Sequence, residues 1–83
     1  MSKDTFNINT GTKIRNLRIS LGYSKEQFAN TLDISVSSLS NVESGKNGIS
    51  VSLLRKLFSV FGVSSDFIIN ENISSNYITN RII

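Results

Sequence analysis

The stretch that decides the fold is Ser24–Ser44, SKEQFANTLDISVSSLSNVES, which contains two helix starts led by serine. Ser24 suits an N-cap position because its hydroxyl can accept a hydrogen bond from a first-turn amide, and Gln27 completes a capping box. A second serine cap is predicted at Ser35, where Ile34 and Leu39 flank the helix start. The stretch therefore predicts two short helices, joined by a connection of about three residues, at Ser24–Leu32 and Ser35–Ser44.

Each predicted serine cap, including a third at Ser64, is flanked by an apolar pair at the spacing of a hydrophobic staple. The pairs are Tyr23 with Phe28, Ile34 with Leu39, and Val63 with Ile68. Further helices are predicted from about Thr10 to Ser20, with Gly22 as the stop, and from Ser50 to Phe61. Five short helices with short connections indicate a compact all-α bundle.

Apolar periodicity predicts which side chains of two helices face the core. In the first helix they are Ile14, Leu17 and Leu21. In the fourth helix they are Val51, Leu54, Leu57, Phe58 and Phe61.

The two ends of the chain are predicted to lie outside the bundle. Residues 1–9 are polar apart from Phe6 and Ile8, and we expect them to form a short N-terminal arm before a domain at residues 10–70. Residues 71–83 are expected to form a C-terminal tail, since they are rich in Asn, Ser and Ile and lack helical periodicity. Their alternating β-branched residues leave three interpretations open: a short strand, a docked arm or a disordered tail.

Composition excludes several classes of protein. The chain has no cysteine and no histidine, which excludes disulfides, thiol nucleophiles, the usual zinc sites and imidazole acid–base chemistry. Its acidic residues are scattered, so we expect no enzyme, no metal and no cofactor. No apolar run approaches the roughly 18–20 residues that span a bilayer, and the N-terminus lacks a signal-peptide core. A cytoplasmic protein without a membrane partner is therefore expected.

Positive charge is concentrated in the middle of the chain. The whole chain carries +3 at pH 7, whereas Thr10–Gly62 contains seven basic and three acidic residues. The excess favours a polyanionic partner, but a basic solvated helix surface explains it about as well.

The two helices of Ser24–Ser44 carry a more specific signal. Ala29 lies on the inner face of the first helix, and its small side chain lets the second helix cross closely. A tight crossing after so short a turn is the geometry that presents a helix to the major groove of DNA.

At this point the stretch from Gly11 to Ile69 resembles the Xre/Cro family of phage-repressor-like helix-turn-helix domains. The matching residues are Gly11, Ile14, Arg15, Leu17, Arg18, Gly22–Ser24, Gln27–Ala29, Leu32, Ile34–Ser35, Ser38–Ser40, Val42–Lys46, Leu54, Phe61–Ser64 and Asp66–Ile69. The resemblance implies a lambda-repressor-like, five-helix DNA-binding domain that regulates transcription.

The sequence departs from the family pattern in two places. Asp33 stands in the turn between the second and third helices, where the family usually has glycine. Aspartate can adopt the left-handed conformation at some cost, so we expect a slightly altered turn. Ile49 stands where the family usually has proline, which leaves the path of the loop before the fourth helix open.

The family pattern and the helix periodicity together predict the residues that contact bases. Leu39 and Val42 are three residues apart and must face the core, so the opposite face of this helix meets the major groove. The predicted base contacts are Val36, Ser37, Ser40 and Asn41. Asn41 is the best base reader, because an amide can bond N6 and N7 of adenine together. This face has no Arg or Lys, so DNA shape is expected to carry part of the specificity.

Phosphate contacts are expected on both sides of that helix. Lys25 and Gln27 belong to a helix N-terminus that favours an anion, and Lys46 follows in a glycine-rich loop. The full predicted set is Lys25, Gln27, Ser44, Lys46, Asn47 and Arg15. Without the resemblance, Arg18 is a further candidate for a phosphate contact and Glu43 is an exposed acid. The resemblance instead implies an ion pair between the two residues that ties the first helix to the third.

One domain of this size reads only about four or five base pairs, and such domains bind as two-fold dimers. We therefore expect a homodimer on a palindromic double-stranded DNA operator. The leading hypothesis is a transcriptional repressor or dual regulator. Its predicted interface comprises Phe67, Ile69, Ile73, Tyr77 and Ile78. An antagonist protein is a further expected partner. The alternative is a protein-interaction module of the same fold, such as an antitoxin or antirepressor, with little or no DNA binding.

Overall fold

The computed structural model describes residues 3–69, which form five α-helices and no strand. The helices are α1 (Lys3–Ser20), α2 (Lys25–Thr31), α3 (Val36–Glu43), α4 (Val51–Phe61) and α5 (Ser65–Ile69). The predicted all-α fold with five helices is confirmed. The tail and strand predictions for residues 71–83 lie outside the described residues.

The serine-led helix starts are formed as predicted. Ser24 accepts a hydrogen bond from the Gln27 amide nitrogen, and the Gln27 side chain accepts one from the Ser24 amide nitrogen, which completes the capping box. The hydroxyls of Ser35, Ser50 and Ser64 each accept from an amide nitrogen three residues later. These caps satisfy first-turn donors that no helix carbonyl can reach.

The first helix begins earlier than its hydrophobic pattern predicts. Residues 3–9, which we expected to form an arm, belong to α1, and the helix starts at Lys3 instead of Thr10. Asn7 and Thr10 are buried although they are polar, and the Thr10 hydroxyl donates to the Asn7 carbonyl oxygen at 3.1 Å. Because its buried face contains polar side chains, apolar periodicity alone does not reveal this part of the helix.

All five helices contribute side chains to the core. Its completely buried large side chains are Phe28, Ile14, Leu32, Leu39, Leu57 and Ile68. Tyr23 packs its ring against Phe28 with 5.6 Å between centroids, and Phe61 stacks on Phe28 at 5.3 Å. The hydrophobic pair predicted at the start of α2 is therefore present.

Three side chains predicted to face the core are exposed instead. Leu21 lies beyond the end of α1, and α4 turns Leu53 and Leu57 inward. Val51 and Phe58 are consequently 65% and 63% exposed. The apolar arc of α4 is wider than the face that packs against the core, so Val51 and Phe58 at one edge of that arc remain exposed.

The turn between α2 and α3 keeps the left-handed conformation despite lacking glycine. Asp33 has φ of 56°, and it is the only non-glycine residue with positive φ in the described part of the chain. The Lys56 ammonium on α4 donates to the Asp33 carbonyl oxygen at 3.1 Å. This hydrogen bond stabilises the turn and offsets part of the energetic cost of a side chain at a left-handed position.

Gly11→Ala is expected to destabilise the domain by about 1–3 kcal/mol, although alanine normally stabilises a helix interior relative to glycine. A methyl group at Gly11 would lie 2.2 Å from the Val42 carbonyl oxygen and 2.7 Å from that of Glu43. Both atoms are backbone, so α1 and α3 would have to separate. Urea unfolding followed by circular dichroism measures the change.

Thr12→Ala is the control for this prediction, because Thr12 is exposed on the same helix. Its effect should stay within about 0.5 kcal/mol. A Gly11→Ala protein as stable as the unaltered chain would mean that α1 and α3 are not in close contact.

Candidate nucleic-acid interface

The α2–α3 pair is held together by a small residue and a backbone contact. Ala29 on α2 is buried, and its carbonyl oxygen accepts a hydrogen bond from the Ile34 amide nitrogen at 2.9 Å. Leu39 and Val42 bury one side of α3 against the core. The position of α3 on the domain is therefore fixed from within, and the residues on its other side are exposed or half-buried.

The predicted base-contact residues share this outer side of α3. Val36 and Ser37 are exposed in the first turn, and Ser40 and Asn41 are half-buried one turn later. Their spacing of i, i+1, i+4 and i+5 places them on one face of the helix. Ser38 is also exposed, but it accepts a hydrogen bond from the Ser35 hydroxyl at 2.8 Å and so belongs to the cap.

Asn41 differs from its neighbours in having a free amide. Its backbone carbonyl oxygen accepts from the Asn47 amide nitrogen at 3.1 Å and from the Ser44 hydroxyl at 3.2 Å. Its side chain makes no hydrogen bond to any residue of the range 3–69. Both the donor and the acceptor of the amide are therefore available to a partner.

The predicted phosphate-contact residues are not equally available to a partner. Lys25, Lys46 and Arg15 form no ion pair with any described residue. The Gln27 side-chain oxygen is used in the capping box, so only its NH₂ group can reach a phosphate. The Ser44 hydroxyl donates to the Asn41 carbonyl oxygen and would have to leave it to bind an anion.

Lys46 and Asn47 are exposed in the loop that joins α3 to α4, residues 44–50. Gly45 turns the chain with φ of 82°, and the Gly45 amide nitrogen donates to the Val42 carbonyl oxygen at 3.1 Å. The loop thus folds back onto the end of α3, where its Lys46 and Asn47 side chains are exposed.

Arg18 and Glu43 form the ion pair that the family resemblance implies. Arg18 Nε donates to Glu43 Oε2 at 2.7 Å, and Nη2 donates to Oε1 at 3.2 Å. Nη1 donates to the Tyr23 carbonyl oxygen at 2.9 Å. The two side chains are 10% and 3% exposed, respectively. Arg18 is therefore fully used inside the domain, and it neutralises the negative charge of Glu43 at the end of α3.

The residues predicted for a dimer interface are only partly described. Phe67 packs against the core and is half-buried, whereas Ile69 is exposed at the end of α5. Ile73, Tyr77 and Ile78 lie outside the described residues. An open apolar groove lies next to α5, and it is lined by Val51, Leu54, Arg55, Phe58, Ser59 and Ser65.

Sequence reasoning missed two contributors to this region. Lys56 supports the α2–α3 turn through Asp33, and the presence of a non-glycine residue in that turn was the available signal. Asn7 packs against Gly48 of the α3–α4 loop. No pattern in the sequence indicated that contact, because it joins a polar residue to a loop 41 positions away.

Other kinds of site receive no support from residues 3–69. This part of the chain holds no group of His, Cys, Asp and Glu side chains suited to a metal ion. None of its helices combines the length and apolar character needed to cross a membrane.

A family model described as helix-turn-helix matches residues 14–68, which is more than half of the chain. The match contains α2, α3 and α4 entire and begins inside α1. No curated protein matches the chain at a significant level.

Proposed function

This chain belongs to the Cro/C1-type, phage-repressor-like family of helix-turn-helix DNA-binding regulators, and we propose that it is a repressor that binds a palindromic operator as a homodimer. Members of this family are regulatory and not typically catalytic. The observation that carries the proposal is the outer face of α3, where the Asn41 amide bonds no described residue and the Asn41 carbonyl oxygen holds the loop that exposes Lys46 and Asn47.

Sequence is read by α3 in the major groove, which is about 12 Å wide and admits one helix. Asn41 bonds N6 and N7 of an adenine, Ser37 bonds a neighbouring base, and Val36 contacts a thymine methyl group. Ser40 contacts either a base or a phosphate. Since none of these side chains is long or charged, the bending and groove width of the operator supply part of the specificity.

Affinity comes from cationic residues on both sides of α3. Lys46 and Asn47 contact the backbone of one strand, and Lys25, with the NH₂ group of Gln27, contacts the other. Arg15 is an additional contact. Phosphate contacts of this kind hold the protein in register but do not distinguish sequences.

Two copies are needed because one α3 reads too few base pairs. A two-fold dimer would read two half-sites whose centres are about 34–36 Å apart. Support for self-association comes from the exposed apolar side chains Val51 and Phe58 on α4 and Ile69 on α5. We propose that the interface lies on α5 and the tail, including Ile73, Tyr77 and Ile78, and extends onto this face of α4.

Selection of bound fragments from random double-stranded DNA tests the proposal as a whole. We expect the selected sequences to share two inverted half-sites with one turn of DNA between their centres. Light scattering should give a dimer on the selected duplex. Failure to bind any duplex at low salt would contradict the proposal and favour the protein-interaction module.

Lys46→Gln is expected to weaken binding to operator and unrelated DNA alike. If a dimer neutralises about six to eight phosphates, log affinity against log salt has a slope of about −5 to −7. Loss of one contact per protomer should make that slope shallower by about two. Fluorescence anisotropy titrations at several salt concentrations measure this slope. Lys46→Arg keeps the charge and should keep the slope; an unchanged slope in Lys46→Gln would exclude a phosphate contact there.

A further inference from the structure

One face of α1 lies along the end of α3 and continues onto the α3–α4 loop. Arg18, Gly11 and Asn7 lie on this face, at helical spacing. Arg18 bonds Glu43 at the end of α3, and Gly11 lies against the carbonyl groups of Val42 and Glu43. The first two turns of α1, residues 3–10, extend past the end of α3 and reach the loop.

The contact between these turns and the loop is a contact of backbone with backbone. A methyl group at Gly45 would lie 2.8 Å from Ile8 Cα and 2.9 Å from the Ile8 amide nitrogen. On the other side of the loop, a methyl group at Gly48 would lie 3.2 Å from Asn7 Oδ1. Asn7 is 7% exposed, so its side chain is enclosed between α1 and the loop.

The loop is thereby fixed from two directions. The end of α3 holds it through the hydrogen bond from the Asn47 amide nitrogen to the Asn41 carbonyl oxygen. The first turns of α1 hold it through Ile8 and Asn7. Between these supports, Lys46 and Asn47 remain exposed.

These first turns lie outside the part of the chain that matches the family, because the match begins at residue 14. We propose that residues 3–10 are a positioning element, which holds the α3–α4 loop in the shape that brings Lys46 and Asn47 to the DNA backbone. The proposal rests on the proposed DNA binding. A loop that is already ordered loses little entropy on binding, whereas a loop released from α1 must be ordered by the DNA.

Two glycines offer a matched test, because Gly45 and Gly22 have almost the same left-handed φ, +82° and +80°. Alanine at either position carries the same backbone strain. At Gly45 the methyl group meets the Ile8 backbone, whereas at Gly22 it meets nothing within 4 Å. We expect Gly45→Ala to lose about tenfold in affinity for the selected operator, with a salt slope shallower by up to about two. Gly22→Ala should bind like the unaltered chain.

Asn7→Ala provides a second variant, since it removes the contact with Gly48 without adding an atom. It should weaken binding in the same manner, and its effect should largely vanish when Lys46 is already glutamine. Such non-additivity is the sign that two residues act through one contact. A purely structural role of Asn7 would change unfolding but leave the salt slope as it was.

The outcomes separate this inference from the function on which it rests. If the unaltered chain binds no duplex, the proposed function fails. If it binds, and folded Gly45→Ala and Asn7→Ala keep its affinity and salt slope, only the positioning role fails. If Gly45→Ala does not fold, the positioning role is tested by the DNA affinities of Asn7→Ala and of its double variant with Lys46→Gln. Simple addition of those two effects would overturn the positioning role.

Discussion

Replacement of Arg18 by methionine should destabilise the domain by about 3–5 kcal/mol, because it leaves the Glu43 carboxylate buried without a partner. The Glu43 side chain is 3% exposed, and Arg18 supplies both of its hydrogen bonds, at 2.7 and 3.2 Å. A chain of 83 residues has a free energy of unfolding of roughly 4–12 kcal/mol. The substitution therefore removes a large share of the stability, and the midpoint of urea unfolding should fall accordingly.

The double variant Arg18→Met with Glu43→Leu is the control that identifies the cause. It removes the unpaired charge and replaces it with apolar volume, so most of the lost stability should return. The double variant should remain about 1 kcal/mol less stable to unfolding than the unaltered chain, because the hydrogen bond from Arg18 to the Tyr23 carbonyl oxygen is also lost. If the single variant costs less than about 1 kcal/mol, the pair behaves like an exposed ion pair and does not hold α1 to α3.

The helix-turn-helix was predictable because its signals are local. Each helix start is marked by a serine cap and an apolar pair five residues apart that flanks it, so Ser24 and Ser35 indicated where α2 and α3 begin. The outer face of α3 followed from the burial of Leu39 and Val42. The same helical spacing places Asn41 on the outer face, so the sequence of α3 alone was enough to predict its position.

Contacts between distant segments were not predictable in this way. The start of α1 contains Asn7 and Thr10, polar residues that are both buried, and Asn7 lies against the α3–α4 loop. Gly11 within a helix looks unfavourable until the carbonyl groups of α3 are placed against it. The inward face of α4 was likewise decided by packing, because Leu53 and Val51 are equally suited to a core.

Asn41→Ala is the substitution expected to change DNA binding most. Loss of a bidentate amide–adenine contact costs about 1–3 kcal/mol in each half-site, so a dimer loses twice that amount on its operator. Binding to unrelated DNA and the salt slope should stay the same, because no phosphate contact is lost. Anisotropy titrations with the selected operator and a scrambled duplex measure the ratio of the two affinities.

Asn30→Ala is the matched control, because Asn30 is an exposed asparagine on α2 whose side chain bonds no described residue. A second comparison identifies the base that is read. Replacing the contacted adenine–thymine pair in both half-sites should weaken the unaltered protein, but it should scarcely weaken Asn41→Ala further, since the contact is already absent. If the base change weakens both proteins equally, another side chain reads that position. Retention of the full operator preference by Asn41→Ala would show that α3 discriminates through DNA shape alone.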